Sequence, residues 1–168
     1  PRSGRRAAHH QGFTAIDVGC GSGSLTVEIC NQIRSGTAYA IDFDEKAVEL
    51  TKLNLSRFRF KAEVILSDAQ DALPKLPQVN SIVIGGTWSN TRKIIEMAIS
   101  KLQTNGRLVI NTILIESAYD ALSTLYGAKL EEVDVTQVII SKSRKVTTGT
   151  MMLARNPVLI ISATKPTS

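Results

Sequence analysis

Cysteine is scarce in this sequence, and what there is sits badly for a disulfide. The 168 residues hold two cysteines, Cys20 in a glycine-rich turn and Cys30 within the helix that follows. Two helical turns separate them by roughly 10 Å, beyond disulfide reach. A disulfide scaffold is excluded, and a cytoplasmic location is expected from that cysteine usage. No Cys/His cluster has zinc spacing. His9 and His10 are adjacent and share no helix face, so no metal site is expected there. No apolar run approaches the roughly 20 residues that span a bilayer, so no membrane partner is expected. No apolar core follows the basic first residues, as it would in a signal peptide. Internal repeats and low-complexity tracts are also absent.

What remains is the profile of an ordinary globular chain. Hydrophobic residues make up 43% and charged residues 21%, which fits one domain with a real core. The net charge of +5 favours anionic partners and leaves nucleic acid, a membrane surface and a polycarboxylate open. Residues 1–12 show no periodicity and read as an irregular arm. Residues 13–168 read as the single domain.

The chain is organised around Ile16-Asp17-Val18-Gly19-Cys20-Gly21-Ser22-Gly23-Ser24. An apolar run enters three glycines at every second position, and an amphipathic segment follows. That pattern predicts a strand over 14–18, a tight turn, and a helix over 23–34. Glycine tolerates positive φ and lets a ligand approach the backbone. The helix N-terminus beyond it offers free N–H groups. The spacing is D-x-G-x-G-x-G, whereas the dinucleotide fingerprint is G-x-G-x-x-G.

Ala38 to Ile41 predicts a second strand ending at Asp42, 19 positions beyond Gly23. An acid there suits the hydroxyls of a ribose. Asp44 reads as the cap of a helix that ends near Arg57. Glu63 to Leu66 predicts a third strand, followed by Asp68 and Ala69. Asp68 has two readings at this point, a ligand residue or the cap of a short helix. Val79 to Ile84 predicts a fourth strand. It ends in Gly85-Gly86-Thr87-Trp88, where paired glycines permit close backbone approach and the sole tryptophan either stacks on a ligand or packs.

Asn90 to Leu102 predicts a helix, Asn105-Gly106 a turn, and Leu108 to Leu114 a fifth strand. Asn111 and Thr112 interrupt that strand, either bonded within the sheet or facing a site. Glu116 to Tyr126 predicts another helix, stopped by Gly127. Lys129 to Ile140 and Thr150 to Ser162 predict two long strands around a polar, basic loop. Pro157 suggests an edge or a bulge. Strand–helix alternation five times over predicts an α/β fold, Rossmann-like, with helices on both faces of a seven-stranded, mostly parallel sheet. The last two strands then form a C-terminal antiparallel hairpin.

Asp17-Val-Gly-Cys-Gly-Ser-Gly23 resembles motif I of class I S-adenosylmethionine-dependent methyltransferases, and the terminal hairpin resembles their fold. Ala40-Ile-Asp42, Ser67-Asp-Ala69, Ile84-Gly-Gly86, Gly149-Thr-Met-Met152 and Arg155-Asn-Pro157 narrow the match. Together they resemble the decarboxylating precorrin methyltransferases of the anaerobic cobalamin pathway over residues 14–163. The Gly149 to Pro157 run is the most specific piece. Residues 1–12 do not resemble the family's N-terminal segment.

The resemblance implies methyl transfer from S-adenosylmethionine to C15 of cobalt-precorrin-6B, with loss of an acetate carboxylate. It implies that Gly19, Cys20, Gly21, Ser22 and Gly23, with Asp17 behind them, line the methionine end of the cofactor. Asp42 then holds the ribose, and Asp68 and Ala69 the adenine side; Gly85 is also expected to touch the cofactor. It also implies a homotetramer. The tetrapyrrole substrate carries many carboxylates, which Arg155 can pair with; Arg144 and Lys145 either do the same or belong to a solvated basic loop, and the backbone of Gly85, Gly86 and Thr87 can hold another carboxylate. An RNA methyltransferase of the same fold is the alternative. It lacks support here, because strand 4 does not end in an Asn/Asp-Pro-Pro-Tyr motif and no catalytic Pro-Cys or Thr-Cys pair is present. The glycine spacing disfavours a nicotinamide dehydrogenase. A non-enzymatic module that only binds the cofactor is the third option.

Overall fold

The computed structural model describes residues 12–33, 35–85 and 90–167. Five βα units come first: β1 (Phe13–Val18), α1 (Ser24–Gln32), β2 (Gly36–Asp42), α2 (Glu45–Phe58), β3 (Glu63–Leu66), α3 (Ala69–Ala72), β4 (Val79–Ile84), α4 (Thr91–Lys101), β5 (Leu102–Thr112) and α5 (Ile115–Gly127). Four strands follow: β6 (Glu131–Val138), β7 (Ser141–Val146), β8 (Gly149–Ala154) and β9 (Val158–Thr164). The main sheet has seven strands in the order β3-β2-β1-β4-β5-β9-β6. β1 to β5 run parallel, and β9 lies antiparallel between β5 and β6. The seven-stranded, mostly parallel sheet predicted from the alternation is therefore present.

Strand alternation sorts the core into two layers. Ile16, Val18, Ile82, Ile84, Leu108, Ile110 and Ile161 face α4 and α5, where Ile94, Ile95, Ala98, Ala121 and Leu125 meet them. On the other face α1 and α2 pack a smaller cluster around Cys30, Ala38 and Leu55. Residue placement follows the pleat, because successive side chains point to opposite faces.

Four expectations need correction. The Asn105-Gly106 turn lies inside β5: the partner of Val79 is Leu102 and that of Ser81 is Arg107, so the chain bulges between them. Asn105 absorbs the bulge at φ 61°, and its N–H donates to Lys165. α5 does stop at Gly127, but the left-handed residue that follows it is Lys129 (φ 55°) and not the glycine. The first helix ends at Gln32. Finally, the stretch expected as one last strand, Thr150 to Ser162, is broken into β8 and β9, whereas Lys129 to Ile140 holds the single strand β6. The stretch expected as a basic loop contains β7, which pairs with β8 in a separate antiparallel ribbon. Pro157 falls in the link between β8 and β9, outside either strand.

Candidate active site

The strand order reverses direction at β1, which has β2 on one side and β4 on the other. Ligands of open α/β sheets bind at such a switch point, outside the strands' carboxyl ends. A cavity of about 500 Å³ opens there, lined by Gly19, Gly21, Asp42, Phe43, Asp68, Ala69 and Gly85, among others.

The glycine turn builds the floor. Gly19, Gly21 and Gly23 all take positive φ (76°, 55° and 74°), which side chains resist. A Cβ on Gly21 would meet nothing within 4 Å, so its backbone stands open to the cavity. Gly23 has a different reason to be glycine. A Cβ there would lie 2.8 Å from the Thr51 Cα, so α1 starts hard against α2.

Asp42 ties the turn to the sheet. One carboxylate oxygen accepts the Gly21 N–H (2.8 Å) and the other the Asp44 N–H (3.0 Å). Each oxygen keeps further acceptor capacity, so a vicinal diol has a preset partner. Asp44 caps α2, as expected, by accepting the Lys46 N–H at 2.9 Å. Asp68 meets both of its readings in part: it caps α3 by accepting the Gln70 N–H at 2.8 Å, and it lines the cavity. Ala69 beside it leaves room for a flat ring.

Asp17, Cys20, Ser22 and Gly23 do not line the cavity; Asp17, Cys20 and Gly23 brace the turn from behind. Asp17 is buried and accepts the Thr26 hydroxyl at 2.6 Å. Burial pushes its carboxyl up from 3.8 to about 6; the Thr26 hydrogen bond lowers it, and the nearby Asp42 charge raises it. The Cys20 thiol turns toward the Thr51 hydroxyl at 3.4 Å, and burial pushes it up, keeping it protonated and unsuited to attack. Ser22 is exposed, its hydroxyl 2.9 Å from that of Ser24.

Two residues of α2 escaped the sequence reading. Thr51 donates its hydroxyl to the Gly21 carbonyl at 3.1 Å, and Asn54 donates its amide to the Ser22 carbonyl at 2.7 Å. One helical turn apart, they hold the loop carbonyls on the α2 side. No local pattern marks them, since two polar residues three apart on a helix usually face water. Phe43, Ala47 and Ile94 also line the cavity without having been singled out.

Arg144 and Arg155 do not line the cavity. Arg144 lies in the exposed β7, opposite Met151, and its neighbour Lys145 falls on the other face of the ribbon. Arg155 follows β8, its N–H donating to the Ile140 carbonyl at 2.8 Å. Gly86, Thr87 and Trp88 lie outside the described residues. Among the described residues, no group of three metal-ligating side chains converges.

A switch-point pocket of this build, on a sheet whose penultimate strand runs against its neighbours, places the chain among the class I S-adenosylmethionine-dependent methyltransferases. Within that class it belongs to the precorrin methyltransferase family. Residues 6–165 match the family model described as "Precorrin methyltransferase domain". Curated relatives carry the name "Probable cobalt-precorrin-6B C(15)-methyltransferase (decarboxylating)". The relative from Methanocaldococcus jannaschii is 41% identical over 89% of this chain and 79% of its own length. The relative from Methanothermobacter thermautotrophicus is 36% identical over 88% of this chain and 76% of its own. Among solved structures, precorrin 8W decarboxylase from Methanobacterium thermoautotrophicum superposes with a TM-score of 0.81 at 32% identity. It covers 91% of this chain and 82% of that one. Precorrin-6y C5,15-methyltransferase from Geobacter metallireducens gives 0.83 at 26% identity, over 92% and 82%. An rRNA methylase from Streptococcus thermophilus, at 20% identity, shares the fold alone.

Proposed function

We propose that this chain methylates C15 of cobalt-precorrin-6B with S-adenosylmethionine and removes an acetate carboxylate from it, in cobalamin biosynthesis. The observation that carries the reading is a donor pocket bounded by Gly21 and Asp42, in a chain 36–41% identical to relatives named for that reaction. The residues present fit the cofactor. Gly21 leaves its backbone uncovered, Asp42 offers carboxylate acceptors for the ribose, and Asp68 and Ala69 suit the adenine side.

S-adenosylmethionine, when bound, supplies a methyl group on a positively charged sulfur. The protein's own part is to hold donor and acceptor in line, which contributes about 7–11 kcal/mol in favourable systems. The glycine turn fixes one end of the donor and Asp42 its middle. The cobalt arrives within the tetrapyrrole. Arg144 and Arg155 pair with its carboxylates. Backbone groups of Gly86 and Thr87 hold a further carboxylate.

A homotetramer is part of this reading. The β7–β8 ribbon supports it: two strands alone are marginal in water, yet these expose Val146, Met151 and Met152. A ribbon covered by a neighbouring copy would also offer Arg144, which does not line the pocket of its own chain, to a pocket across the interface. The two free thiols support a cytoplasmic setting, and no described helix is long and apolar enough to cross a membrane. The extent of the single domain, residues 13–168, is proposed on the unbroken main sheet.

The test is mass-spectrometric turnover with S-adenosylmethionine and cobalt-precorrin-6B, scoring methyl gain and carbon dioxide loss separately. Both changes are expected. Neither change, with S-adenosylhomocysteine still bound in calorimetry, overturns the substrate and leaves RNA as the next acceptor to try.

A further inference from the structure

β5 leaves the sheet at Thr112, two residues beyond Ile110, the partner of Ile84. Ile84 is followed by Gly85 in the cavity wall, so the chain after β5 emerges on the cavity's edge of the sheet. Thr112 folds that exit by accepting the Leu114 N–H on its hydroxyl at 3.0 Å. The start of α5 is then held against the start of α4. The Thr91 and Ser117 hydroxyls lie 3.5 Å apart, and Arg92 pairs with Asp120 at 3.1 Å. One turn beyond Thr91, Ile94 of α4 lines the cavity.

This anchored turn carries the wrong residues for a solvated loop. Ile113, Leu114 and Ile115 are consecutive and all exposed, Ile115 by 80%, and Tyr119 one turn on by 69%. The core does not require them, since α5 packs through Ser117, Ala118, Ala121, Thr124 and Leu125. A contiguous exposed apolar patch marks a binding surface. A reduced tetrapyrrole presents a broad apolar face with carboxylates at its rim, and its reacting carbon must lie at this edge, beside the donor. We propose that Ile113, Leu114, Ile115 and Tyr119 form the ledge on which the face of the tetrapyrrole rests, making Ile115 and Tyr119 specificity-determining residues. The inference rests on the function proposed above.

Tyr126 continues the same side of α5 but lies roughly 16 Å from Ile115 along the axis. It separates a substrate ledge from an interface with a second copy, which would use the whole stripe. The experiment compares Ile115→Ser, Tyr119→Ala and Tyr126→Ala in turnover, S-adenosylhomocysteine calorimetry and light scattering. The first two should raise KM for cobalt-precorrin-6B about tenfold, the loss of one buried apolar contact. S-adenosylhomocysteine affinity should stay within about twofold, and Tyr126→Ala should change neither. Unchanged KM in the first two variants, with an active wild type, overturns the ledge alone. A lower assembly mass in all three with unchanged KM overturns it in favour of an interface. A wild-type chain that neither binds nor turns over the tetrapyrrole removes the functional reading and the ledge together.

Discussion

The glycine turn and the β7–β8 ribbon are both short connecting features, and they are built on opposite terms. In the turn, the protein partners nearly every polar group itself. Asp42 holds Gly21, Thr51 and Asn54 hold the loop carbonyls, and Thr26 holds Asp17. In the ribbon, every residue from Ser141 to Met152 is exposed. Among the described residues, no side-chain hydrogen bond or ion pair reaches it. The difference teaches where each part of the chemistry is completed. The glycine turn is preorganised within one chain, and the ribbon, proposed above to meet the substrate, is left open to what covers it.

The sharpest test of that contrast is Asp17→Asn. Because burial raises the folded-state pKa from 3.8 to about 6, the folded protein holds this proton more tightly than the unfolded chain. Wild-type stability from this group is full below about pH 4 and is lost as pH rises toward 6. The variant has no such loss, so its stability relative to wild type should grow by up to about 3 kcal/mol between pH 4 and 7. Urea titrations at several pH values read this; a flat difference would show that Asp17 is not held buried by the turn.

Asp42→Ala should weaken S-adenosylhomocysteine binding about 100-fold in calorimetry, the scale of two hydrogen bonds to a charged acceptor. A change of less than fivefold would remove Asp42 from the donor site. Thr51→Val keeps the shape and deletes the hydroxyl. It should cost about tenfold in the same titration, with Thr51→Ser restoring most of it. Equal loss in both would mean that packing against Gly23, and not the hold on the Gly21 carbonyl, is what counts. The smallest effect belongs to the ribbon. Met151→Lys with Met152→Lys should leave S-adenosylhomocysteine affinity within about twofold while lowering the assembly mass in light scattering. An unchanged mass would break the contrast from the ribbon's side.

Much of the first half was legible because its signals are local. β3 and β4 fall where the apolar runs put them, Asp44 caps α2, and the glycine turn sits where its spacing demands. Thr51 and Asn54 were not legible, because their partners lie about 30 residues away and no period marks them. Asn105-Gly106 misled for a related reason. The dipeptide is a strong turn former, but β4 on one side and the Lys165 backbone on the other carry β5 through it as a bulge.

By itself, the sequence determined the α/β alternation, the donor turn, the acid at the end of β2 and the family. These depend on residue type, short spacing and the steric demands of three glycines at positive φ. Only the tertiary structure decided which turn residues face the cavity and which brace it from behind. It also decided where the last predicted strand breaks, and that Ile113 to Ile115 stand exposed beyond the end of β5. A strand's alternation reads the same in a sheet or in a lone ribbon, and an apolar residue reads the same in a core or on a ledge. What separates them is the set of neighbours brought up from distant sequence, and no local pattern encodes those.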